Sequence, residues 1–230
     1  MKTIGILGGM SWESSLLYYR LINQGVAQRL GGLHSAKIIM NSVDFAPIEE
    51  LQHAGDWDGT AEILIDAARR IEAAGADFLL IATNTMHRVA DAITAEIDIP
   101  LLHIADATAR VLVEDGIQRV GLLATAFTME LDFYRDRISG HGVDIVVPET
   151  HDRQIVHDII YQELCRGQVD PDSREVYLAV IDRMRSEGIE AVILGCTEIG
   201  MLIEAQHTDM RLYDTTAIHA EQAVALALQD

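Results

Sequence analysis

Positive charge is scarce. Lys and Arg number 17 against 36 Asp and Glu, a formal charge of −19 over 230 residues. Nucleic-acid binding rests on neutralising phosphates with Lys and Arg, so this composition argues against it, and it disfavours anionic membrane surfaces too. An anionic substrate needs a local anion site strong enough to overcome the global field. Cysteine is nearly absent: Cys165 and Cys196 allow at most one disulfide. Only 4 prolines interrupt a chain that is 49% hydrophobic, which predicts a well-packed core. No apolar run approaches the ~18 residues of a membrane helix. The first strand starts at Thr3 with no hydrophobic leader ahead of it. A cytosolic protein with reduced thiols is expected. Gly5, Gly8 and Gly9 read G-x-x-G-G rather than the G-x-G-x-x-G of a dinucleotide site, and no Walker loop occurs. The nine histidines show no metal-ligand spacing, so a metal site is not expected.

Short apolar runs without alternation predict strands buried on both faces, as in a parallel sheet. They fall at 3–7, 36–41, 77–82 and 101–104, separated by helices over 12–29, 57–74, 84–96 and up to Gly116. Ser11 is placed to cap the first helix and Gly31-Gly32 to end it. Residues 42–56, carrying Pro47, Gln52 and His53, read as a loop. The order then restarts. Strands at 119–125, 143–147, 189–194 and 211–216 repeat the first four, and a helix over 172–187 matches the long one at 57–74. One helix, 152–166, looks extra to the second half. Its Ile155, Val156, Ile159, Ile160 and Leu164 share a face, and Cys165 reads as inert packing on it. Two similar βα halves follow.

The repeat brings two stretches into register: Ile81-Ala82-Thr83-Asn84-Thr85-Met86-His87 and Leu194-Gly195-Cys196-Thr197-Glu198-Ile199. Each follows a buried strand and opens a helix, so Thr83 and Cys196 belong at carboxyl edges of sheets, where ligand crevices of open α/β folds lie. A cysteine at a helix N-terminus is expected to have a lowered pKa. Two groups on opposite faces of one carbon suit a reaction that inverts a centre. Asn84, Thr85, Thr197 and the Gly8-Gly9-Met10 turn offer donors for a carboxylate, which carries the developing charge when an α-proton leaves. The alternatives are capping for residues 83–85 and a plain tight turn for Gly8-Gly9. His87 reads as a first-turn helix residue, and His103 as a strand-end residue without a role.

Gly8-Gly9-Met10-Ser11-Trp12-Glu13-Ser14, Thr83-Asn84-Thr85-Met86-His87 and Gly195-Cys196-Thr197-Glu198-Ile199 together resemble the aspartate/glutamate racemase superfamily, end to end. The likeness is greatest to its enterobacterial L-aspartate/glutamate-specific members, which also pair threonine with cysteine. The resemblance implies an α/β fold of two pseudo-symmetric domains, each a parallel sheet flanked by helices, with the active site in the cleft between them. The domain carrying Thr83 would comprise residues 1–102 plus 214–230, and the domain carrying Cys196 residues 103–213. It implies a PLP-independent racemase, a homodimer, that acts on aspartate and/or glutamate by removing and returning the α-proton. Thr83 and Cys196 would be catalytic, and Met10, Gln52, Asn84, Thr85, Thr197 and Glu198 would bind substrate.

Two departures from the family pattern bear on function. Most members have cysteine where Thr83 stands, and a threonine hydroxyl is too weak an acid to be a standing base. Turnover is therefore expected to start better from the L-isomer, whose proton Cys196 takes by family analogy. Aspartate-specific relatives also place basic residues where Gln52 and Cys165 stand, which leaves neutral side chains such as homoserine or glutamine open as substrates. The rival functions are a single-cysteine decarboxylase on the same scaffold and a non-catalytic amino-acid binder.

Overall fold

The computed structural model describes residues 1–229. The chain divides into two compact units, one of Met1–Ile104 with the segment that starts at His219, the other of Ala105–Ile218. Each is an α/β unit built on a parallel sheet.

In the first unit, β1 (Ile4–Gly8) lies between β2 (Ile38–Ser42) and β3 (Phe78–Ile81), all parallel. Helices α1 (Trp12–Leu30), α2 (Phe45–Ala54), α3 (Trp57–Ala73) and α4 (Ala90–Thr94) connect them, with a 3-10 turn at Thr85–Val89. The strands carry apolar side chains on both faces, as a two-sided parallel sheet requires. Leu7, Leu79 and Ile81 pack with Leu64, Ala68 and Ile71 of α3. Ile4, Ile6, Phe78 and Leu80 point the other way, toward Tyr18, Ile22 and Val26 of α1.

The second unit repeats the order. β4 (Arg119–Leu123), β5 (Asp144–Val146), β6 (Ala191–Leu194) and β7 (Arg211–Asp214) form a parallel sheet in the order β5-β4-β6-β7. Around them run α5 (Ile104–Glu114), α6 (Ala126–Glu130), α7 (Asp132–Ser139), α8 (Thr150–Gln162), α9 (Pro171–Ser186) and α10 (Ile199–Leu202), and α11 (Thr215–Leu228) follows β7. The chain leaves the first unit at the start of α5 and returns within α11. Gly5 and Gly121 do the same work in β1 and β4. A Cβ on Gly5 would stand 2.5 Å from Ile71 Cγ2 of α3, and one on Gly121 2.8 Å from Met184 Cε of α9. Each central strand needs a glycine where its covering helix crosses.

Three expectations need correction. Residues 42–56 are not a loop, because Phe45–Ala54 is helical. Asp44 caps it by accepting from the Ala46 amide, Pro47 falls in the first turn where its missing N–H costs nothing, and Gly55 ends it in the left-handed conformation. The helix over 150–162 is therefore not extra, since each second strand is followed by two helices. Nor is there a fourth strand at 101–104. Leu101 makes one bridge to Leu79, through Leu79 N–H to Pro100 O and Leu102 N–H to Leu79 O, and α5 then starts at Ile104. Asp44→Ala should lower stability by ~1 kcal/mol, the ordinary worth of an N-cap. An unchanged denaturant midpoint would show that α2 is held by packing alone.

Candidate active site

Parallel strands put all their carboxyl ends on one edge. In the first unit that edge is formed by Gly8, Ser42 and Ile81, in the second by Leu123, Val146, Leu194 and Asp214. Leu7 pairs with Ile81 and Leu123 with Leu194. The Ala82 amide then donates to Leu7 O at 2.9 Å and the Gly195 amide to Leu123 O at 2.8 Å. Thr83 and Cys196 are each the next residue. They hold the same position in two sheets, which repeated strand ends alone predicted.

The turn at Thr83 is tied down from several sides. Ser14 Oγ at the start of α1 donates to Ala82 O at 3.1 Å. Asn84 and Thr85 are buried, and Thr83 is partly accessible. The Gly8-Gly9 turn is closed from within. Gly9 has a φ of 100°, and its amide donates to Ser15 Oγ at 2.8 Å, which donates in turn to Ser11 O at 3.0 Å. The Gly9 amide is thus engaged by the protein itself. Met10 lies in the core beside Ile48 and Ile81, and Gln52 is buried on α2.

At Cys196 the chain makes a turn rather than a long helix. The Cys196 carbonyl accepts from the Ile199 amide at 3.1 Å, and α10 has a single turn, Ile199–Leu202. Cys196 Sγ donates to Glu198 Oε2 at 2.9 Å. Thr215 Oγ1 donates to Leu194 O at 3.0 Å, and Thr216 and Thr197 bring their hydroxyls to 3.5 Å. Burial pushes the Cys196 thiol well above its usual range, and the negative charge of Glu198 and the neighbouring Cys165 add to it. The expected lowering by a helix N-terminus is therefore reversed. One turn of helix carries too little dipole, and a carboxylate faces the sulfur. Cys165 also differs from expectation: it is exposed, in the 3-10 turn Leu164–Arg166 that follows α8. Neither cysteine forms a disulfide among the described residues.

His87 and His103, given no role by sequence reasoning, are both buried. His87 Nδ1 lies 2.8 Å from the Thr83 carbonyl oxygen. The only signal for it was position, one helical turn after Thr83 in a stretch already singled out. Among the described residues no group of His, Cys, Asp and Glu is arranged to hold a metal ion, and no helix is long and apolar enough to cross a membrane.

Comparison with known proteins agrees along the whole chain. Residues 7–223 match the family model described as Asp/Glu/Hydantoin racemase. A crystal structure from Yersinia pestis, provisionally assigned as an Asp/Glu racemase, is 51% identical over 100% of both chains, with a TM-score of 0.95. An aspartate racemase homologue from Pyrococcus horikoshii OT3 is 33% identical, again over 100% of both, with a TM-score of 0.86. The broad specificity amino-acid racemase RacX of Bacillus subtilis (strain 168) is 22% identical over 75% of this chain and 74% of its own. The repeated sheets, the paired strand-end residues and these likenesses converge, and the chain belongs to the Asp/Glu/hydantoin racemase family.

Proposed function

We propose that the chain is a PLP-independent racemase of aspartate and/or glutamate, in which Cys196 and Thr83 serve opposite faces of the substrate Cα. The observation that carries this reading is the equivalence of the two residues, each the second past the last paired residue of its strand. The Cys196 proton passes to Glu198, whose carboxylate already accepts it as a hydrogen bond. The thiolate then takes the α-proton of the L-isomer. A thiol held to a high pKa spends less time ionised but makes a stronger base once it is. The carboxylate of the substrate takes up charge as the enediolate forms, and Asn84, Thr85 and Thr197 are the donors proposed to stabilise it. Reprotonation on the other face comes from the Thr83 hydroxyl or a water it orients; the alkoxide or hydroxide so formed takes a proton back from solvent, and Glu198 releases the proton it took from the thiol. Met10 and Gln52 are assigned to substrate binding.

Threonine supplies a proton far more readily than it removes one. At saturating substrate the turnover rate from L-aspartate should therefore exceed that from D-aspartate, while kcat/KM is equal in the two directions, as a one-to-one equilibrium requires. In deuterated water, L-aspartate should gain α-deuterium and yield D-aspartate. Release of CO2 from an arylmalonate without such exchange would replace the reading by decarboxylation. Thr83→Cys should raise kcat for the D-to-L direction by ~10-fold or more at saturating D-aspartate, since it adds an ionisable base. Equal kcat values from the two isomers of the unmodified enzyme at saturation would refute the one-sided assignment.

A further inference from the structure

Three buried imidazoles gather in the first unit beside the Thr83 turn. The ring centroids of His87 and His103 are 4.4 Å apart and those of His87 and His219 are 5.9 Å apart. Their hydrogen bonds fix two tautomers. The Ile104 amide lies 3.2 Å from His87 Nε2, and an amide can only donate, so Nε2 carries the lone pair. The proton is then on Nδ1, which donates to the Thr83 carbonyl at 2.8 Å. His219 has the opposite form: Nε2 donates to Leu102 O at 2.8 Å, and Nδ1 accepts from Tyr18 Oη at 2.9 Å.

The 3-10 winding explains why an imidazole is needed. In an α-helix the residue-87 amide would donate to the residue-83 carbonyl. Here the His87 amide goes to Asn84 O at 3.1 Å, and the side chain takes over at Thr83 O. One neutral ring thus joins the carbonyl of Thr83 to the amide of Ile104, 21 residues away in sequence (104 − 83).

We propose that His87 is a positioning residue for Thr83, setting the orientation of the Thr83 turn through the Thr83 carbonyl. The inference rests on the reading that Thr83 serves one face of the substrate. If His87 acts only there, losing it should impair proton return and spare proton removal at Cys196. Exchange of the α-proton of L-aspartate would continue while inversion fell. Damage to the fold as a whole would lower both together.

The test uses His87→Asn and His87→Gln, each alone and with Thr83→Ala. Asparagine places an amide nitrogen near the Nδ1 position and keeps the bond to Thr83 O; glutamine reaches only the Nε2 position and can accept from Ile104. His87→Gln should lower inversion from L-aspartate on the order of 10-fold while α-deuterium uptake into remaining L-aspartate stays within about 2-fold. His87→Asn should recover most of that loss. In the Thr83→Ala background His87→Gln should cost roughly nothing further, because the two then act as one unit. A parallel fall in exchange and inversion, additive losses with Thr83→Ala, or a His87→Asn protein that no longer folds would each overturn the proposal. An unmodified enzyme that exchanges no α-proton would instead sink the racemase reading, and this inference with it.

Discussion

Cys196→Ser should reduce the initial rate of racemisation by ~10²-fold or more, the lower end for loss of a general acid–base group. The substitution is close to isosteric, so the fold should survive it. A serine hydroxyl can still donate to Glu198 Oε2, which keeps the hydrogen bond that now holds the sulfur. What it cannot do is yield an anion at accessible pH. The expected signature is therefore a lost rate with amino-acid binding and thermal midpoint retained. Both α-deuterium exchange and inversion should fall, which separates this variant from the His87 substitutions. A rate unchanged by Cys196→Ser would remove the residue from the mechanism and leave the matched strand ends without their chemistry.

Acid should weaken the first unit as pH falls from 6.5 toward about 4. Burial holds His219 down at about 4 and His87 well below the ordinary 6.5, with neighbouring imidazoles pressing His87 further. Above pH 6.5 neither the folded nor the unfolded state binds these protons. Between 6.5 and about 4 the unfolded chain binds the His219 proton and the folded one does not, so stability is lost as pH falls through that window. For His219 alone the full loss is about 3 kcal/mol, from its shift and 1.36 kcal/mol per unit. His87 adds in the same direction. The groups facing them are Tyr18, His103 and backbone. In the second unit Asp214, raised by burial, acts in the opposite sense, and Asp106, held low despite burial by Arg137 and His141, loses its stabilising contribution only as pH falls below 3.8. Trp12 and Trp57, the two tryptophans of the chain, both belong to the first unit, so their fluorescence reports on it. Denaturant midpoints by that signal should drop steeply between about pH 6.5 and about pH 4.5. His219→Gln, which can still donate to Leu102 O, should flatten the slope. A midpoint constant over that range would mean the imidazoles are not buried as described.

Much of the architecture was legible because parallel strands announce themselves. Ile4–Gly8, Phe78–Ile81 and Ala191–Leu194 are short apolar runs with no alternation, and glycine at residues 5 and 121 marked the two equivalent central strands. The helix at Phe45–Ala54 was hidden by its own composition. Pro47, Glu49, Glu50, Gln52 and His53 look like a loop until Asp44 and Gly55 are recognised as its two caps. Leu101 was misread because one bridge leaves the same hydrophobic trace as a strand. At the site, the placement of Thr83 and Cys196 followed from the repeat, but their environments did not. The direction of the Cys196 thiol shift depends on a Glu198 carboxylate folding back onto sulfur and on a helix stopping after one turn. His87 was invisible in another way: its partners are backbone atoms of Thr83 and Ile104, and backbone leaves no signature in residue identity.

The return of α11 to the first unit sets the order in which the polypeptide can mature on the ribosome. Ala220, Ala223, Val224 and Ala227 cover the sheet face formed by Ile4, Ile6, Phe78 and Leu80, and the Lys2 amide donates to Ala227 O at 2.8 Å. All four strands of the second unit lie before residue 215. Synthesis therefore delivers a closable second unit while the first, though begun earlier, still shows an open greasy flank. Translation halted at residue 218 would leave that flank bare for chaperones and proteases.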